Sequence, residues 1–333
     1  MIVDTLDLDS LPVGICRLWV EVVRNAFGQP ECVPVLVAKG RKPGKVVGLT
    51  AAVHGDELNG ISTIHRLFDR LDCNNMRGSV VGVAVVNHPG FMRGERRFVD
   101  GKDLNHTFPG TPTGSVSDVY AYRLVQRIIR RFDVLLDLHT ASFGRVNSLY
   151  VRADMTEPTT ARMAFLQRPQ VIVHNPPADR TLRGAAAALG IPAITVEIGD
   201  PNRFQHRYIR RTLVGVRAVL MELGVVAKRH VAEGGPPIIC SDSHWVYTDG
   251  GGLLTVLPKV TDLVAEGEEI AHLVDIFGDP VATYRAPHYG VVIGHSIEPV
   301  ARTGARILHI GRLATEADTH ILGREDGAVP VMH

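Results

Sequence analysis

The sequence predicts an α/β fold, a mixed and largely parallel sheet flanked by helices, followed by a smaller all-β domain of barrel-sandwich type. Three observations predict it. Four short runs, VVGLTAAV (46–53), VVGVAVV (80–86), VLLDL (134–138) and AITVEI (193–198), are almost wholly apolar. Strands covered on both faces by helices must be so. Between them lie stretches with apolar residues at helical spacing, and strands alternating with helices build a parallel sheet. From about residue 236 the helical period is lost, and short β-like runs with frequent Gly and Pro replace it.

Taken in order, LWVEVV (18–23) and VPVLVAKG (33–40) read as β-branched strands, and the Gly/Pro/Lys cluster at 40–45 turns the chain into the run at 46–53. Residues 57–71 place Leu58, Ile61, Ile64, Leu67, Phe68 and Leu71 on one helical face. Residues 118–132 repeat this with Val119, Tyr122, Val125, Ile128 and Ile129, and a helix at about 207–223 follows the strand at 193–198. These elements bound an α/β domain at 1–230 and a β domain at 236–333. Within the latter, Ala286-Pro287 leading into Gly290-Val291-Val292, and the run from Pro299 to Ile310, resemble the hairpins of a biotinyl/lipoyl-type barrel. Such a carrier needs a lysine at its hairpin tip, whereas the tip here is Phe277-Gly278-Asp279-Pro280. A structural or pocket-shaping role is therefore expected.

Charged residues make up 21% of the chain and nearly cancel, at net +1, so no global field recruits nucleic acid or an anionic membrane. The N-terminal MIVDTLDLDSLPVG carries acids where a signal peptide needs basic residues, and no apolar run reaches ~18 residues. A soluble, cytoplasmic protein is expected, with a homo-oligomer allowed. Cys16, Cys32, Cys73 and Cys240 lie far apart without a C-x-x-C pair, which argues against a thiolate zinc knuckle or a dithiol redox motif and predicts reduced, mostly buried thiols.

His54-Gly55-Asp56-Glu57 lies where an apolar strand ends and a helix begins, the edge of an open α/β sheet at which ligands bind. An imidazole and a carboxylate three residues apart can share one metal, with Gly55 allowing a sharp turn between them. Taken alone, such a pair is more often a satisfied surface pair or a helix-end charge than a metal site. Catalytic zinc takes three protein ligands, and His139, in Asp137-Leu138-His139-Thr140, closes another apolar strand that would emerge at the same edge. Glu197 ends a third apolar run, where a carboxylate is costly unless it pairs with an arginine or serves as a base. The polar loop from Arg96 to Gly110 can hold an anionic substrate or simply be solvated surface.

The ordered set H-G-D-E, then Arg97 and Asn105 ahead of F-P-G, then D-L-H-T, then V-E-x-G, spanning roughly 45–225, resembles the aspartoacylase/succinylglutamate desuccinylase family of the zinc carboxypeptidase clan. Members of that family carry a β-rich domain after the catalytic one. The resemblance implies a zinc-carboxypeptidase-like fold and one Zn2+ per chain held by His54, Glu57 and His139. It implies Glu197 as general base, Arg97 polarising the scissile carbonyl, and Asn105 binding the substrate carboxylate. The family's usual arginine after that asparagine is His106 here, so Arg93, Arg96 or Lys102 would have to replace it, or the substrate carries another group there. The implied activity is hydrolysis of a small N-acyl amino acid or related amide by promoted water. A metallocarboxypeptidase and a non-enzymatic metal-binding module are the competing readings.

Overall fold

The computed structural model describes residues 1–177, 180–228, 235–318 and 321. The chain begins with β1 (Ile2–Val3), β2 (Gly14–Arg24), β3 (Pro30–Lys39) and β4 (Lys42–Ala51), then α1 (Asn59–Phe68), β5 (Arg77–Val83), α2 (His88–Arg93), α3 (Val116–Arg127) and β6 (Val134–His139). Next come β7 (Arg145–Asn147), β8 (Leu149–Ala153), α4 (Pro158–Leu166), β9 (Val171–His174), α5 (Leu182–Ala188), β10 (Ala193–Ile198) and α6 (His206–Glu222). The remainder is β11 (Ile238–Tyr247), β12 (Gly252–Val256), β13 (Leu263–Val264), β14 (Glu269–Val274), β15 (Pro280–Arg285), β16 (Gly290–Ser296), β17 (Val300–Ala301) and β18 (Arg306–Leu313).

The core of the sheet runs β5-β4-β6-β10-β8-β9. Strands β5, β4, β6 and β10 are parallel neighbours, and β8 enters antiparallel to β10. Alternation along each strand divides the core in two. Val47, Leu49, Leu136, Leu138, Ile194 and Val196 face α1, α4 and α6 through Ile64, Leu67, Met163 and Val216. Leu135 and Ala193 face the other way, toward Leu124 and Val125 of α3 and Leu182 and Ala186 of α5. Ile64 and Leu67 have no exposed surface, and burying each stabilises the fold by about 1.5–3 kcal/mol. Helix α3 starts in a capping box between Ser115 and Asp118, which satisfies two orphan donors.

Beyond residue 235 the described residues up to 313 form strands and turns. They do not stand apart from the α/β sheet. β11 runs parallel to β9, β18 and β16 extend the same sheet, and β7 of the N-terminal part pairs with β16. A separate four-stranded sheet, β15-β14-β12-β17, packs around Leu254, Ile270, Leu273 and Ile307. The expected boundary at 230–236 falls mainly on residues 229–234, which lie outside the described residues, as do 322–333 of the expected β domain. The hairpin tip of β14 and β15 holds exposed Ile276 and Phe277, with no lysine in the turn.

Candidate active site

Three parallel neighbours deliver the site. β4 goes out to β5 on one side, while β6 lies on its other side, so the chain reverses its direction of winding at β4 and β6. Crevices at such points are where open α/β sheets bind ligands. The chain leaves β4 through buried Ala52, whose φ of 50° is unfavourable for a residue with a Cβ. The amides of Val86 and Asn87 hold this segment by donating to the carbonyls of Ala51 and Ala52. His54 follows, and a turn bond from the Glu57 amide to the His54 carbonyl brings Glu57 back beside it. Gly55 is required for a reason other than the turn expected from sequence. A Cβ there would sit 2.1 Å from the Gly90 carbonyl carbon, so what it provides is close approach to α2.

Residues 135, 137 and 139 of β6 share a face, as do 193, 195 and 197 of β10, and Glu197 is the register partner of His139. His54 Nδ1 lies 2.7 Å from Glu57 Oε1, and His139 Nδ1 lies 2.9 Å from Glu57 Oε2. The three side chains are buried, and one ligand atom from each falls within 4.8 Å of the others. The far nitrogens are also held, His54 Nε2 by Asp103 at 3.0 Å and His139 Nε2 by Asp137 at 2.9 Å. Asp137 in turn accepts from Thr50 Oγ1 at 2.7 Å. Carboxylates behind both imidazoles fix the ring orientation and raise ligand basicity, which is the arrangement around bound metal ions.

The electrostatics agree with a cation site. Burial alone would raise the Glu57 pKa, but His54 and His139 outweigh it and hold the carboxylate well below the ordinary range. Burial lowers both imidazoles, yet Glu57 beside His54, and Asp137 and Glu57 beside His139, turn both upward. Two imidazoles drawn toward positive charge around a shared carboxylate could hold a metal ion in their place. Glu197 goes the other way. Burial raises its pKa, offset in part by His139 and reinforced by Glu57. It keeps part of its surface open to the cavity and accepts from Asn147 Nδ2 at 3.4 Å.

These groups line a cavity of about 310 Å³, at the small end of ligand pockets. Of the residues expected from sequence, His54, Glu57, His139, Asn105, His106 and Glu197 all line it, and Arg97 does not. Arg97 is turned outward, its Nη1 donating to the Gly101 carbonyl at 2.6 Å. Its neighbour Arg96 reaches in instead, pairing with Asp103 at 2.7 Å, Glu57 at 3.2 Å and the Ser142 hydroxyl. Consecutive residues of this loop point to opposite sides, and buried Phe98 anchors it. Arg93 pairs with Glu95, and Lys102 with Ser115 and Asp118. Asn105 Oδ1 accepts from the Leu182 amide, tying the loop to the start of α5. His106 is largely exposed, with Nε2 4.0 Å from Asp103.

Sequence reasoning missed Asp103 and Asp137 as holders of the imidazoles. Period-2 alternation in D-L-H was the available signal for the second of these. It also missed Arg145, Arg152, Arg183 and Arg306, which together with Arg96 put five guanidinium groups on the cavity wall. No local pattern in the sequence marks them.

Residues 43–223 match the family described as Succinylglutamate desuccinylase/Aspartoacylase catalytic domain. The N-alpha-acetyl-L-2,4-diaminobutyric acid deacetylase of Halomonas elongata is 26% identical over 320 residues, 92% of this chain and 93% of the relative. The succinylglutamate desuccinylase of Pseudomonas paraeruginosa is 28% identical over 193 residues, 54% of this chain and 57% of its own length. Among solved structures, the product-bound ectoine utilization protein EutE (DoeB) from Ruegeria pomeroyi aligns with a TM-score of 0.83 at 23% identity, covering 92% of this chain and 97% of that one, which shows a shared fold. With more than half of its length matched to the family and the ordered site residues in one crevice, the chain belongs to the succinylglutamate desuccinylase/aspartoacylase family.

Proposed function

We propose that this protein is a zinc-dependent hydrolase that removes the acyl group from a small N-acyl amino acid or related amide by attack of water. The observation that carries the proposal is the convergence of His54, Glu57 and His139 opposite Glu197 in a small cationic cavity. Two imidazoles and one carboxylate suit catalytic zinc, which leaves a coordination position open, and the carboxylates behind both rings fit as well. When bound, zinc would supply a Lewis acid and lower the pKa of water.

The chain's own residues supply the rest. Glu197, with its proton affinity raised by burial, accepts a proton from the attacking water and returns it to the departing nitrogen, so one carboxylate acts as base and then acid. Arg96 takes the role that the family resemblance implies for Arg97, meeting negative charge that develops on the acyl oxygen. Asn105 and the wall of arginines orient an anionic substrate. The deacetylase and desuccinylase named among the relatives support amide hydrolysis as the reaction.

Purified protein, with metal content measured, should be assayed against N-acetyl, N-succinyl and N-formyl amino acids together with dipeptides. Zinc-dependent release of acid from an N-acyl amino acid is expected. Turnover of dipeptides alone would replace this reading with a carboxypeptidase.

A further inference from the structure

Two histidines among the C-terminal strands stand in the same relation to each other as the two in the crevice. The rings of His54 and His139 have centroids 5.1 Å apart, with their planes at 63°. Those of His244, on β11, and His288, between β15 and β16, are 5.0 Å apart at 58°. The distance has a chemical meaning. Two imidazoles on one tetrahedral ion, each with a nitrogen about 2.0–2.1 Å from it, place their ring centroids about 5 Å apart.

The nitrogens are also in the state that a metal requires. His288 is buried, and its Nδ1 lies 2.7 Å from the Tyr289 carbonyl oxygen, which can only accept. Nδ1 therefore carries the proton, and Nε2 presents a lone pair. That Nε2 is buried and meets no hydrogen-bond donor among the described residues. A buried acceptor without a partner is costly, and a cation would satisfy it. His244 is exposed, which opens the pair to solvent, and its own ring nitrogens make no hydrogen bond among the described residues. Burial, then the neighbouring His288, lowers the His244 pKa, so this ring is neutral and able to coordinate near pH 7. Asp242 and Arg312, which also act on His244, pair with each other at 3.5 Å and largely cancel.

We propose that His244 and His288 form a second transition-metal site, made of other residues than the His54, Glu57 and His139 centre. Among the described residues only that centre offers three ligands close together. An ion on the histidine pair therefore keeps water or a small exogenous ligand in its remaining positions and is bound more weakly. Imidazole ligands select late first-row ions such as Zn2+, Ni2+ and Cu2+ over Mg2+ and Ca2+, which prefer oxygen. The bound ion ties the segment before β16 to β11 across β18, the strand that lies between them.

The full chain, stripped of metal, is dialysed against increasing Zn2+ or Cu2+, and bound metal is counted per chain by mass spectrometry. Two ions are expected, the weaker of them held more tightly as Cu2+ than as Zn2+. His244→Gln, at an exposed position, should weaken that ion at least ~100-fold, because the second imidazole is what makes its capture intramolecular. The same variant should keep the tighter ion, and its metal-free Tm should match that of the parent, which reports an intact fold. His288→Gln should weaken the same ion. Electron paramagnetic resonance of the weaker Cu2+ should show coordinated imidazole nitrogen. The proposal falls if, up to ~1 mM metal, no bound ion depends on both His244 and His288.

Discussion

Asp137→Asn tests whether the carboxylate behind His139 tunes a metal site or merely fills space. Asp137 has no exposed surface, accepts from Thr50 Oγ1 at 2.7 Å and faces His139 Nε2 at 2.9 Å. Asparagine has the same shape. Its Oδ1 can still accept from the Nε2–H of His139, and its Nδ2 can donate to the Thr50 hydroxyl, which accepts as readily as it donates. Both hydrogen bonds therefore survive and only the charge is lost. A hydrogen bond to a charged group contributes about 1.5–3 kcal/mol against about 0.5–1.5 for a neutral one. The difference, about 1–1.5 kcal/mol, corresponds to a metal Kd weakened about 5- to 15-fold. That is close to the lower end of the 10- to 100-fold range for losing such a partner entirely. The assay is competition of the variant with a chelator of known zinc affinity, alongside the Tm of the metal-free protein as a packing control. An unchanged Kd with an unchanged Tm would refute the argument, because Asp137 would then do nothing for the imidazole it touches.

Further outcomes follow from the geometry. Glu197→Gln should keep metal content and lower turnover at least ~100-fold, since the amide preserves shape and removes the base; near-normal turnover would assign water activation to another group. Arg97→Ala should change kcat/KM by less than about threefold, while Arg96→Ala should lower it at least ~100-fold, as loss of a group facing developing charge does; the reverse pattern in steady-state kinetics would restore Arg97 to the site. His106→Arg should lower KM for a substrate with a free carboxylate and shift kcat less than kcat/KM, because a permanent bidentate donor binds carboxylate better than an imidazole. A collapse of kcat with KM unchanged would make His106 part of transition-state stabilisation.

The sequence by itself determined the elements whose information is local. The apolar runs that became β4, β6 and β10 were legible because a strand buried on both faces needs an unbroken apolar stretch, and α1 and α3 because one face of each must repeat at helical spacing. His54, Glu57, His139 and Glu197 stood out as polar groups at the ends of such runs, and a parallel arrangement predicts that those ends share one edge. What needed the tertiary structure was every relation without a local period. Arg96 and Arg97 are adjacent in sequence, and only the anchoring of Phe98 and the pairing with Asp103 decide which one faces the cavity. Asp103 reaches His54 across 49 residues, and β7, β11 and β18 bring Arg145, Trp245 and Arg306 together from positions 161 residues apart at the extremes. The C-terminal strands were legible as strands. Their joining to the central sheet through β9 and β11 was not, because backbone hydrogen bonds between edges leave no signature in the side chains that make them.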